Sequence, residues 1–300
     1  MSVIEYLLRQ PGESGNGDTD LATWWKGNQG AGADFAALTD QAIVVSSRSL
    51  IPAHAFYTGY QFALRHMFPS RAGKAAAICI SEKGGNHPAA IEARLEDQRM
   101  SGVKTFVTAA DMVQDVLVAV TTGQDADGRS RLRLVHVRVG DPGIRVEQDD
   151  KRTPFIPEVR RGRLLLEDTP VAAEQILEGD AHNDYSKPFS SLEGLYIRLA
   201  MVSWLSALGR ARDWPHDLRE TLLARVWGLR SLILADPEAA PNPIILAGLL
   251  RPLAEIAGEL SEGDLLPANL REIWRRDRGL LAGNGRLDKI RLEKAWSAFD

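Results

Sequence analysis

The chain has 300 residues, room for one large domain or two to three small ones, and 44% hydrophobic with 25% charged residues matches a soluble globular protein. Its formal charge of -4 at pH 7 gives no reason to expect nucleic-acid binding. The single cysteine, Cys79, excludes an internal disulfide or a thiolate metal cluster and fits a reducing cytoplasm. No apolar run approaches the roughly 18 residues that a membrane span needs. The amino terminus lacks the basic start and long apolar core of a signal peptide.

Residues 1–75 read as a helical region. Val3 to Arg9 forms a short helix, and Gly12 to Asp20 is a polar loop. Trp24 and Trp25 are packing anchors. Helices are predicted over Phe35–Ser47 and Ala53–Phe68. In the second, Phe56, Tyr60, Ala63 and Met67 recur at three- and four-residue steps and align on one face. Pro69 closes it. Gly27, Gly30 and Gly32 are not a dinucleotide fingerprint, because no strand precedes them and their spacing is wrong.

Residues 76–180 change character. Strand-length runs of Val, Ile, Leu and Thr alternate with Gly, Asp and Pro turns. Strands are predicted at Ala76–Ser81, Ile91–Glu96, Lys104–Thr108, Val116–Thr121, Leu132–Val139, Ile144–Glu147 and Arg163–Glu167. Turns are expected at Ser101-Gly102 and at Asp125 to Gly128. This spacing points to an antiparallel barrel or sandwich. Arg160, Arg161 and Arg163 form a basic cluster, read first as a solvated sheet edge and second as a phosphate contact.

Residues 181–300 return to helix. Leu192, Leu195, Tyr196, Leu199, Val202 and Leu205 form one apolar stripe; Ile197, Ala200 and Trp204 make a second. A helix apolar on most sides is buried. Further helices are expected at Leu218–Leu234, Ile244–Leu260, Leu270–Leu281 and Leu287–Phe299, with Pro252 inside the second of these. The six histidines show no metal-ligand spacing. There is no HExxH, Gly-x-Ser-x-Gly elbow or P-loop.

Two strings carry the functional reading. An apolar run ends in Ser81-Glu82 before a loop holding Gly84, Gly85, Asn86, His87 and Pro88. Further on, Gly102, Lys104, Phe106, Val107 and Thr108 fill the pattern Gly-x-Lys-x-(Trp/Phe)-(Ile/Val)-Thr. In this order the two strings resemble the middle domain of the acyl-CoA dehydrogenase family, with Ser81 where Thr is usual. Asp141-Pro142-Gly143-Ile144 is similar to the family's Pro-Gly turn into a barrel strand. Trp274-Arg275-Arg276-Asp277, Ile290-Arg291 and Ala295-Trp296 are similar to the last helices of some bacterial members.

The resemblance implies an α+β fold: N-terminal helices, a central antiparallel β-barrel and a C-terminal helical bundle used for oligomerisation. It implies FAD as cofactor and an acyl-CoA or related thioester as substrate, dehydrogenated between the α and β carbons. Ser81 would bond the pyrimidine edge of the flavin ring, Phe106 would pack on the ring, and Thr108 would bond near N5. Asn86 or His87 would face the pyrophosphate. Glu193, in Ser191-Leu192-Glu193-Gly194-Leu195, would be the base that takes the α-proton. Spacing alone offers Glu193 another role, as the last residue of a Ser190-x-x-Glu193 capping box.

The chain also departs from the pattern. The amino-terminal region is shorter than the usual helical domain. Arg210-Ala211-Arg212-Asp213-Trp214-Pro215 stands where the family has an Arg-x-x-Phe-Gly turn that reaches a neighbouring subunit's cofactor. Ala282-Gly283-Asn284-Gly285 carries no carboxylate for the family's alternative base and is a poor match to its adenine-binding segment. These departures motivate a second expectation: a catalytically silent homologue that acts as partner subunit of a full-length dehydrogenase.

Overall fold

The computed structural model describes residues 1–9, 20–71, 75–150, 152–282 and 285–300. The loop expected at Gly12 to Asp20 lies outside them except for its last residue, as do Gly283 and Asn284. The chain divides into two compact units, Met1–His66 with Ser191–Asp300, and Met67–Ser190.

Met67–Ser190 is built on seven strands: β1 (Ala76–Cys79), β2 (Arg94–Glu96), β3 (Arg99–Thr108), β4 (Asp115–Gln124), β5 (Ser130–Arg138), β6 (Ile144–Gln148) and β7 (Arg161–Pro170). All seven predicted strands overlap an observed one. The expected closed antiparallel barrel is corrected to one open, mixed sheet. The order runs β1-β4-β2-β3-β7-β6, with β5 on the other side of β4. β1 pairs β4 in parallel, while β3–β7, β4–β5 and β6–β7 are antiparallel. Among the described residues β5 and β6 do not pair with each other, so the sheet stays open, with β5 and β6 as its edge strands. The segment after β7 covers the β5 edge, where Leu177 donates to the Leu134 carbonyl at 2.8 Å. The β6 edge carries Arg145 and Glu147, charges that discourage further pairing.

The pattern of β4 explains its place. Residues 115–120 are all buried, as expected of a strand covered on both faces. Val116, Val118 and Val120 join Met100, Val107, Val135 and Leu164 in the core of this unit.

The β2–β3 hairpin turns at Asp97 and Gln98, both with left-handed backbone (φ 47° and 59°), not at the expected Ser101-Gly102. Gly102 lies within β3, where the register to β7 shifts. Its φ is +149°, and a Cβ there would meet Ala93 Cα at 2.6 Å. It is glycine because β2 approaches so closely, not because the chain reverses.

The other unit is helical. Its elements are α1 (Val3–Arg9), α2 (Leu21–Asn28), α3 (Leu38–Ser46), α4 (Pro52–Met67), α5 (Lys187–Ala211), α6 (His216–Leu234), α7 (Asn242–Glu262), α8 (Ala268–Asp277), α9 (Gly279–Ala282) and α10 (Gly285–Trp296). Trp24 and Trp25 are buried, and the Trp24 indole donates to the Arg48 carbonyl at 3.1 Å. The expected one-sided face of α4 is too narrow. His54, Tyr57, Phe62 and Leu64 are buried as well, while Phe56 and Met67 of the predicted face are only half-buried. Gly59 lets α4 touch α5, since a Cβ there would lie 2.5 Å from Ile197 Cα. Asp40 on α3 pairs with Arg230 on α6, and Arg198 on α5 pairs with Asp288 on α10.

Candidate functional site

The loop after β1 is fastened to β3. Thr105 donates to the Ser81 carbonyl through its backbone N–H (2.8 Å) and its hydroxyl (3.2 Å). Next to it the Glu82 carboxylate turns inward. It pairs with Lys104 Nζ at 2.6 Å and accepts from the backbone N–H groups of Glu92 (2.9 Å) and Ala93 (3.1 Å). Lys104 also donates to the Ile80 carbonyl at 3.2 Å. The Lys104 side chain is fully buried, and desolvation lowers its pKa against the opposing pull of Glu82. Three backbone partners, Ile80, Glu92 and Ala93, therefore tie the Glu82–Lys104 pair to both ends of the segment from Ile80 to Ala93. The same surroundings push the buried Cys79 thiol up to about 12, which leaves it inert at neutral pH.

Inside that segment Glu82 and Gly85 exchange two backbone hydrogen bonds of 2.9 Å, and Gly85 has φ +108°, a conformation suited to glycine. Asn86 and His87 are exposed. The His87 ring accepts from Ala89 N–H at 3.2 Å and so caps the short turn Pro88–Ala90.

β3 then presents an aromatic ring outward. Lys104 pairs with Leu164 and Val107 with Gly162, so three steps on β3 match two on β7. This bulge re-aims the strand: Lys104 and Val107 both face the core, and Phe106 between them turns to solvent, 37% exposed. Thr108 stands directly across from Arg161 on β7 and is buried. The Arg161 guanidinium lies 4.6 Å from the Phe106 ring centre and 5.1 Å from that of Phe155. Desolvation lowers the pKa of Arg161, partly offset by the charge of Asp149.

The arginine cluster is not at a sheet edge, because β7 lies between β3 and β6. Its members also differ. Arg163 pairs with Glu147 at 2.9 Å, whereas Arg161 stacks on rings.

Phe106 and Thr108 thus lie on β3, and Ser81 on the loop that Thr105 of β3 holds, with Asn86 and His87 further along that loop. Glu193 belongs to the helical unit and occupies the second turn of α5. The capping-box reading fails, because α5 begins at Lys187 and a π-helical turn, Ala181–Ser186, runs into it. Asp180 is the residue that caps, accepting from His182 and Asn183 N–H at 3.1 and 2.8 Å. Glu193 keeps partial solvent access, yet desolvation by the protein around its carboxyl raises the pKa to about 7. One turn on, the Tyr196 hydroxyl is 3.1 Å from His66 Nδ1, and burial lowers the His66 pKa.

Sequence reasoning had Glu82, Lys104 and Arg161 in hand only as motif or cluster members, and it missed Phe155. A lysine set among the β-branched strand residues Val103, Thr105 and Val107 was the available signal for the inward pair. Phe155 sits in a Pro-rich stretch with no periodicity to mark it. Among the described residues no group of His, Cys, Asp and Glu is arranged to hold a metal ion, and no helix is long and apolar enough to cross a membrane.

No protein-family model matches the chain, and no curated protein matches it by sequence. Solved structures do. A butyryl-CoA dehydrogenase from Megasphaera elsdenii superposes with TM-score 0.58 at 12% identity, covering 99% of this chain and 89% of that one. An FAD-dependent dehydrogenase gives 0.65 at 12% identity, over 97% and 95%. The prolyl acyl carrier protein oxidase AnaB gives 0.65 at 12% identity, over 97% and 96%. At these identities the likeness establishes the fold: this chain has the fold of the acyl-CoA dehydrogenases.

Proposed function

For a chain with that fold, we propose a flavin-dependent oxidoreductase that binds FAD and dehydrogenates an acyl thioester between its α and β carbons. The observation that carries the reading is the outward Phe106 beside Thr108, on a sheet shared with dehydrogenases whose names include an FAD-dependent one. The residues fit the group chemically. A flat ring finds an exposed aromatic surface in Phe106, a hydroxyl at Thr108 and polar groups at Ser81. The Gly84-Gly85 loop allows close approach of backbone, with Asn86 and His87 exposed at the surface for the pyrophosphate.

The flavin supplies the hydride acceptor when bound. Glu193 supplies the base. An ordinary carboxylate is too weak to take a proton from carbon, and a pKa near 7 brings it to the working pH. Neighbours in structure act on a butyryl-CoA and a prolyl acyl carrier protein, so the acyl thioester is the substrate class we assign.

The visible spectrum tests this. Purified protein titrated with FAD should show flavin absorbance bands that remain after gel filtration, and an acyl thioester added without oxygen should bleach them. A colourless protein that takes up no FAD would defeat the reading. If it also co-purified with a larger homologue, the silent partner subunit suggested by Arg210–Pro215 would take its place.

A further inference from the structure

The outer face of β6 and β7 carries three arginines, and two of them are neutralised. Arg163 pairs with Glu147 at 2.9 Å, and Arg145 reaches Glu147 at 3.5 Å and Glu167 at 3.3 Å. Arg161 differs. Among the described residues no carboxylate lies within 4.0 Å of its guanidinium and no hydrogen bond engages it. It is held by two ring faces, Phe106 and Phe155. Aromatic faces fix a cation in place without cancelling its charge. Phe106 stays 37% exposed and Phe155 38% exposed with the guanidinium between them, so aromatic surface is left for a ligand. The result is a half-buried, positioned cation with no contact ion pair among the described residues, opposed at longer range by the charge of Asp149, beside flat apolar surface and directly across the strands from Thr108. That combination suits a ligand that is both planar and negatively charged.

We propose that Arg161 pairs with the negative charge that the flavin ring acquires on reduction, and so sets the reduction potential of the bound cofactor. This rests on the flavin reading above. In the proposed reaction the substrate gives its α-proton to the Glu193 carboxylate and a hydride, one proton with two electrons, to the ring. With FAD bound, the ring would take up that hydride as one negative charge facing Arg161 while Glu193 would hold the proton, so that charge balances. The location favours the ring over the phosphates. Arg161 touches Phe106 and stands across from Thr108, two of the residues assigned to the ring, whereas Asn86 and His87, assigned to the phosphates, lie on the loop after β1. A nearby cation binds the reduced ring more tightly than the oxidised one, and this difference is the shift in potential.

The test compares wild type, Arg161→Gln and Arg161→Lys. FAD affinity is read by fluorescence titration, and midpoint potential by equilibration with a reference dye. Arg161→Gln should bind oxidised FAD within about twofold of wild type. It should lose about tenfold in relative affinity for the reduced form, a fall of about 30 mV for a two-electron couple. Arg161→Lys should retain most of the wild-type potential, and Phe155→Leu, which opens the clamp, should lose part of it. If Arg161→Gln binds FAD at an unchanged potential, the assignment is overturned and Arg161 is only a surface stack. If Arg161→Gln does not fold, a wild-type potential in Phe155→Leu and a lowered one in Arg161→Lys overturn it instead. A wild type that takes up no FAD overturns the flavin reading together with this one, and it does so at the first titration, before any variant is compared.

Discussion

Glu193 illustrates how one residue's role depends on where its helix starts. Ser190 and Ser191 look like a helix start, and three residues after Ser190 a glutamate completes a capping box on paper. Asp180 has already taken the cap upstream, so Glu193 falls inside α5 and its carboxyl meets protein instead of a backbone amide. The sequence singled out this carboxylate but not its environment, because desolvation is set by what packs around α5. The raised pKa has a definite sign in stability. Below about pH 4.5 the group is protonated in both folded and unfolded chain. Between 4.5 and about 7 the folded state holds the proton more tightly, so stability falls as pH rises, and above 7 the loss is complete. Glu193→Gln should therefore match wild type at pH 4 and exceed it by about 2 kcal/mol at pH 8, after allowing for solvent screening. Urea unfolding at the two pH values measures this; an equal difference at both would show that the carboxyl is not desolvated. Turnover of the wild type should rise with pH through about 7 and be lost in Glu193→Gln.

At the scale of elements, the segment from Ile80 to Ala93 and strand β3 behave as one piece because Lys104 and Glu82 hold them. The strand itself was legible from its β-branched run, and the Gly-rich loop from its composition. The bulge was not. Ser101-Gly102 has the grammar of a turn, and only the approach of Ala93 reveals why glycine stands there. Nor did alternation along β3 tell which way Phe106 points, since the extra residue between Lys104 and Val107 breaks the two-residue period. A buried pair that loses one member leaves the other charge without compensation. Lys104→Met should cost about 3 kcal/mol or more, and adding Glu82→Gln should recover part of that loss. Chemical denaturation of both variants checks it. If the double variant were no more stable than the single one, the pair would not be the latch described.

For the molecule as a whole, the number and positions of the strands could be read from turn residues, but closure could not. Whether a sheet shuts into a barrel depends on its two edges meeting, and the covering segment at Leu177 and the charges on β6 are dispersed in the sequence. The division into units has a similar origin. Met67–Ser190 is one continuous segment with its own core, whereas the helical unit is assembled from both ends of the chain. Met67–Ser190 expressed alone should therefore unfold cooperatively, by circular dichroism in urea, while residues 1–66 alone should not; the reverse result would contradict this division. Synthesis exposes the asymmetry in time. Asp40 must wait 190 positions for Arg230, a delay on the order of 10–40 s at usual ribosomal speeds. During that interval Ile43, Val44 and Val45, which end up fully buried, have no finished docking surface, so the newborn amino-terminal helices are natural clients for a chaperone at the exit tunnel.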